Sequence, residues 1–212
     1  MKNGFTLAEV LVTLGIIGVV SAMTIPTLIK NHQRNVYVSQ LQKVYAELSQ
    51  AFDKVLTDSN AISLRESKMF PDGAAANFFN RYFKVIQTCT GTDLDGCFVE
   101  HYENLAGETI RARDLINSSM DCATIASGAS ICTGVVCLDD EWWCNYIFVD
   151  VNGKQGPNIV GRDFFHFFVD STGQIIGTDE FTDEHFEETK SDWDDYGIFL
   201  QKILNDGWKM EY

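Results

Sequence analysis

Apolar positions change their period twice along the chain. From Phe5 to Ile29 they form a nearly unbroken run, FTLAEVLVTLGIIGVVSAMTIPTLI, with Glu9 its single charge. A helix rises about 1.5 Å per residue, so this stretch can cross a ~30 Å hydrocarbon core with some tilt. From Lys30 to about Leu56 the run becomes a stripe of Tyr37, Leu41, Val44, Tyr45, Leu48, Phe52 and Val55, whose spacing defines one helical face. The two stretches predict one helix of some 50 residues, on the order of 75 Å long.

Beyond Leu56 the pattern shortens. Asp72 reads as the N-cap of a helix bearing Phe78, Phe79, Tyr82, Phe83 and Ile86. Strands are predicted over 124–126 and 129–136 about a Ser127-Gly128 turn, over 146–151 and 164–170, and over 174–176 after Ser171-Thr172-Gly173. A closing helix carries Trp193, Tyr196, Phe199, Leu200, Ile203 and Leu204, with Ser191 and Asp194 as a capping pair and Asp206-Gly207 as its stop. Antiparallel hairpins with helices before and after them make an α+β head.

The apolar run differs from a cleaved secretory signal. Its charged leader is only Met1-Lys2-Asn3-Gly4, its apolar core is too long, and no small-x-small site precedes a polar region. A carboxylate inside it is costly in lipid, which marks Glu9 as functional, although the nearby helix N-terminus also favours an acid. Pro26 removes one backbone hydrogen bond and is placed to kink or locally melt the helix. Gly15 and Gly18 thin it, at a spacing of three rather than the four of GxxxG.

Lys2-Asn3-Gly4 followed by Phe5-Thr6-Leu7-Ala8-Glu9 and the apolar run resembles the class III signal of type IV pilins and type II secretion pseudopilins. That resemblance implies cleavage by a prepilin peptidase between Gly4 and Phe5 and N-methylation of Phe5. It makes Glu9 the fifth residue of the processed chain, the family's acid, and matches Pro26 to the family's helix-interrupting proline. It implies a lollipop architecture, with the long helix supporting an antiparallel sheet. The segments are then a leader (1–4), a membrane and filament-core helix (5–29), its amphipathic continuation (30–56) and a head (57–212). Glycine at position 4 allows a protease close to the scissile bond. Glu9 lies one helical turn from the new amine. It is suited to neutralise the Phe5 amine of an adjacent subunit, because buried opposite charges must pair or both are penalised. Lys30 and Arg34 at the far end would by a simple positive-inside count hold the head in the cytoplasm. The peptidase signal and the cysteines oppose that orientation.

Charge separates along the same lines. The chain of 212 residues carries a net −14, which divides into +2 for residues 1–56 and −16 for 57–212. An acidic head disfavours nucleic acid and anionic headgroups as direct ligands. All six cysteines, Cys89, Cys97, Cys122, Cys132, Cys137 and Cys144, lie in the head. An even count on an exported domain reads as a disulfide framework, and no CxxC supports zinc or thiol redox chemistry. Fifteen pairings are open; Cys89 with Cys97 is favoured by the turn-rich Asp93 to Gly96 between them.

Asp150-Val151-Asn152-Gly153-Lys154-Gln155-Gly156-Pro157-Asn158, then Gly161 and Asp163, offers oxygen ligands at alternate positions. A calcium site on Asp150, Asn152 and Asp163 is one reading. A tight loop built from turn-forming residues is the other, and it is favoured because Lys154 stands where a ligand is needed. Residues 179–195 hold nine acids and read as a solvated loop, with a cation site or a basic partner as the alternative. His32, His101, His166 and His185 are scattered, no nucleophile, zinc-protease or phosphate-loop motif occurs, and no enzymatic activity is expected. The expected function is that of a structural filament subunit of a type II secretion pseudopilus or type IV pilus. Its expected partners are identical or homologous pilins, the prepilin peptidase and an inner-membrane assembly platform. The precursor sits in the inner membrane and the filament is periplasmic or extracellular. The alternatives are a minor tip subunit that binds a ligand or secreted substrate, and a single-span anchored binding protein that never polymerises.

Overall fold

The computed structural model describes residues 6–67, 75–135, 143–178, 181–193 and 197–212. The chain divides into two units, Met1–Val36 and Tyr37–Tyr212. Helix α1, Leu7–Ser59, contributes to both.

In the first unit the helix is apolar and solvent-facing on all sides: Leu7, Leu11, Leu14, Ile17, Val20, Met23 and Leu28 are each more than half exposed. Exposed apolar area costs about 25 cal/mol per Å² in water, so such a surface is favoured in apolar surroundings. The helix is long and apolar enough to cross a membrane. It continues through Pro26, contrary to the expected interruption. A single missing N–H is tolerated where the flanking residues, Met23 to Thr27 among them, hold helical geometry.

In the second unit α1 buries Val38, Leu41, Val44, Leu48, Ala51, Phe52 and Val55, the stripe expected from its periodicity shifted slightly off the two tyrosines. Short helices α2 (Leu64–Ser67) and α3 (Ala76–Tyr82) follow. Phe78 of α3 stacks on Phe52 of α1 with ring centroids 5.2 Å apart. Next come β1 (Val85–Thr90), β2 (His101–Glu103), β3 (Thr109–Arg111), α4 (Ala112–Leu115), β4 (Asp121–Ile125), β5 (Ser130–Val135), β6 (Trp143–Asp150), β7 (Phe164–Asp170), β8 (Ile175–Ile176), α5 (Asp183–Thr189) and α6 (Ile198–Asn205). Six strands form an antiparallel sheet in the order β1-β4-β5-β6-β7-β8, and β2-β3 form a separate hairpin.

Register divides the sheet into two buried faces. Ala123, Ile131, Val149 and Phe165 form one paired row, fully buried in the same cluster as the α1 stripe. The opposite face carries the row Cys89, Cys122, Cys132, Phe148 and His166. The excursion between β1 and β4 covers that face, with Phe98 and Tyr102 against Phe164 at 6.4 and 4.4 Å. Burial on both faces explains why β7 reads Phe-Phe-His-Phe-Phe-Val without polar alternation.

Three expectations are corrected. Ile86 lies in β1 and is 66% exposed rather than on a helix, because α3 ends at Tyr82 and the chain turns extended at Phe83. The acidic segment contains α5, capped by the Thr182 side chain on the His185 N–H and anchored by buried Phe186, where a loop was expected. The last helix starts at Ile198, so Trp193 precedes it. Asp72, Tyr196 and the Asp194 half of the expected capping pair lie outside the described residues.

Candidate functional site

The start of α1 is organised by Thr6. Its backbone N–H and hydroxyl both donate to Glu9 Oε2 at 2.8 Å, and the Glu9 N–H donates back to Thr6 Oγ1 at 3.3 Å. This is a reciprocal capping box, which satisfies N–H groups that a helix start leaves without intrahelical partners. Gly4 and Phe5, the expected cleavage pair, lie outside the described residues; Pro26 lies inside α1.

The 150–163 loop places the Asp163 carboxylate near both Asp150 and the Asn152 side chain. Every carboxylate oxygen meets a protein donor. Asp150 Oδ2 accepts from the Tyr102 hydroxyl at 2.6 Å, and Oδ1 from the Asn152 N–H at 3.2 Å. Asp163 accepts from the N–H groups of Asn158 and Ile159 at 2.8 and 2.7 Å. Two glycines permit the path. Gly153, at φ +65°, would place a β-carbon 3.0 Å from the Gly128 carbonyl, and Gly161, at φ +81°, would place one 2.4 Å from the Phe199 ring. Burial, then the neighbouring Asp163 charge, pushes the Asp150 carboxyl well above its ordinary range. Burial likewise raises Asp163, against the pull of its backbone donors. The Tyr102 phenol is pushed up, by burial first and the Asp150 charge second. Among the described residues no group of three or more His, Cys, Asp or Glu is placed to hold a metal ion.

Two disulfides, Cys89–Cys97 and Cys122–Cys132, pin the face of the sheet opposite α1. Cys137 lies outside the described residues, and Cys144 is in β6 with its side chain outside them. His166 is buried among Phe148 and Phe168, with ring centroids at 4.7 and 4.5 Å, and burial lowers its pKa to about 3. A neutral imidazole held in an aromatic nest is a core residue. His101 is on the exposed face of β2, far in sequence from the loop acids.

Thr6 and Tyr102 have no counterpart among the sequence expectations. Thr6 had a visible signal, the Thr-x-x-Glu spacing. Tyr102 is 48 residues from Asp150, and no local pattern links them.

No curated protein and no solved structure matches the chain. Residues 1–25, from the leader through most of the apolar run, match the family model of the prokaryotic N-terminal methylation motif, so the chain carries the prepilin-type signal of type IV pilins and pseudopilins.

Proposed function

We propose that the protein is a pilin or pseudopilin, a structural subunit of a type IV pilus or type II secretion pseudopilus. The observation that carries the reading is the methylation motif over residues 1–25, which coincides with a helix apolar on all sides. A prepilin peptidase cuts between Gly4 and Phe5 and methylates the Phe5 amine. The apolar helix holds the precursor in the inner membrane with its head outside the cytoplasm. In the filament, identical or homologous subunits take the place of lipid around the helix, assembled by an inner-membrane platform. Glu9 sets the register by pairing with the Phe5 amine of a neighbour, since either charge alone in an apolar setting is heavily penalised. The work of such a subunit is mechanical.

Co-expression with a prepilin peptidase followed by intact-mass measurement tests this. The expected product lacks Met1 to Gly4 and carries one added methyl group, and replacing Gly4 blocks its formation. A chain that keeps Met1 to Gly4 regardless of the residue at position 4 overturns the reading and favours a permanently anchored protein.

A further inference from the structure

Cys89, Cys122 and Cys132 stand side by side on three consecutive strands. Cys89 is opposite Cys122 across β1 and β4, and Cys122 is opposite Cys132 across β4 and β5. Directly opposed residues of an antiparallel sheet project to one face, with β-carbons about 4.5–5.5 Å apart. The three sulfurs therefore form a row running across the strands. One disulfide, Cys122–Cys132, lies within the row, and the other ties its end to the overlying loop at Cys97. Exchange requires a thiolate to attack one sulfur of a disulfide and expel the other. Cys89 on β1 and Cys132 on β5 flank Cys122 on β4, so Cys89 neighbours Cys122 on the side away from its present partner.

The same end of the row is open. A cleft of about 420 Å³ is lined by Gln87, Cys89, Gly96, Asp121 and Cys122 among others. Cys89 is partly exposed, whereas Cys97, Cys122 and Cys132 are buried. Gly96 allows the loop to pass this close: a β-carbon there would lie 2.9 Å from Cys89 Sγ.

We propose that Cys89 is a thiol–disulfide exchange site, through which a small dithiol moves the crosslink from Cys122–Cys132 to Cys89–Cys122. A thiolate of the dithiol attacks Cys89 Sγ; the Cys89–Cys97 bond breaks, and Cys97 leaves as a thiolate and takes a proton. The second thiol of the reagent closes its own disulfide and releases Cys89 as a thiolate. Cys89 then attacks Cys122 Sγ, and Cys132 leaves and is protonated. The dithiol is oxidised by two electrons, and the protein passes from two disulfides in this cluster to one. The segment from Thr90 to Cys97 loses its tether while β1 becomes bonded to β4. The step speeds up as pH rises, because only the thiolate is the nucleophile.

The test uses the full chain in detergent micelles, exposed briefly to dithiothreitol under native conditions, quenched with acid, alkylated and mapped by mass spectrometry. The expected intermediate carries a Cys89–Cys122 bond with Cys97 and Cys132 alkylated. Alkylated Cys89 and Cys97 beside an intact Cys122–Cys132 bond overturns the proposal, as does Cys89 joined to Cys137 or Cys144. Cys97→Ser gives a second measurement without reductant, with circular dichroism as the folding control. The expected result is alkylation at Cys132 that disappears when Cys89 is also replaced by Ser, whereas alkylation confined to Cys89 overturns the proposal. Where the variant does not fold, the time course on the unaltered chain decides.

Discussion

Glu9 Oε2 accepts two hydrogen bonds from one residue, Thr6, through its backbone N–H and its hydroxyl, each at 2.8 Å. The acid proposed to pair with a neighbouring subunit's amine is therefore also a local helix cap. A carboxylate oxygen accepts more than one donor, so the two roles are compatible in geometry. They differ in what they need: capping requires only an acceptor, whereas pairing requires a charge.

Glu9→Gln separates them. Glutamine keeps an acceptor for Thr6 and loses the charge. We expect Glu9→Gln and Glu9→Ala both to be cleaved by the peptidase and both to be depleted in sheared filaments. Loss of the cap alone costs about 1 kcal/mol and leaves the apolar helix intact. Immunoblots of processed chain in filament and membrane fractions read this. Normal incorporation of Glu9→Gln alongside failure of Glu9→Ala would reduce Glu9 to a cap.

The elements that follow from periodicity alone are legible in the sequence. The apolar run of α1 and its stripe from Leu41 to Val55 have no competing period, and β7 is bounded by turn residues at both ends. Long-range placement was not legible. Ile86 follows four aromatic residues at near-helical spacing yet lies in β1, at the register shift between Val85 and Gln87, the neighbours that pair with β4. Phe186 is the single large apolar residue of an otherwise acidic helix, and its burial depends on Phe199 and Tyr212 from the C-terminal segment. At the candidate site the acids of the loop were visible, but Tyr102, which makes Asp150 a buried hydrogen-bonded group, arrives from another layer of the fold.

Asp150 makes the head sensitive to alkali. Its folded pKa is raised, by burial first and by the Asp163 charge second. The stability it contributes is full below the unfolded carboxyl value, about 3.9, and is lost as pH rises through the folded value. Asp150→Asn cannot ionise and retains an acceptor for the Tyr102 hydroxyl, but it turns an amide NH₂ toward the Asn152 N–H that Oδ1 now accepts. That unmet donor costs about 1–3 kcal/mol at every pH. The variant should therefore be less stable than the parent at acid pH and should close the gap as pH rises. Thermal melts by circular dichroism across pH measure the gap, and one that stays constant from pH 4 to pH 8 would contradict it.

His166 acts in the opposite direction. Burial lowers its pKa to about 3. Its neutral form is compatible with the fold, so the stability it contributes is present above the unfolded value of about 6.5 and falls as pH drops toward the folded value. The loss approaches about 1.4 kcal/mol per pH unit inside that window. His166→Phe, which suits the Phe148 and Phe168 nest, should remove this acid-side loss and leave the alkaline side unchanged. Melts from pH 7 down to pH 4 on both chains test it, and parallel profiles would show that His166 does not govern the acid limb.

Calcium is the remaining question for the 150–163 loop. The ion takes about six to eight oxygen ligands, usually including carboxylates. Here Asp150 is committed to Tyr102 and Asn152, and Asp163 to two backbone N–H groups. Oδ1 of Asn152 and Oδ1 of Asn158 are buried without a hydrogen-bond partner, two neutral oxygens where a calcium ion needs several more. The loop is thus closed by its own donors, and we expect the same thermal midpoint in millimolar calcium and in excess chelator. Asp163→Asn should lower both midpoints alike, because one of the two backbone N–H groups would face an amide NH₂. Leaving such a donor unsatisfied costs about 1–3 kcal/mol. A midpoint that rises with calcium in the parent chain and not in Asp163→Asn would instead establish the loop as a calcium site.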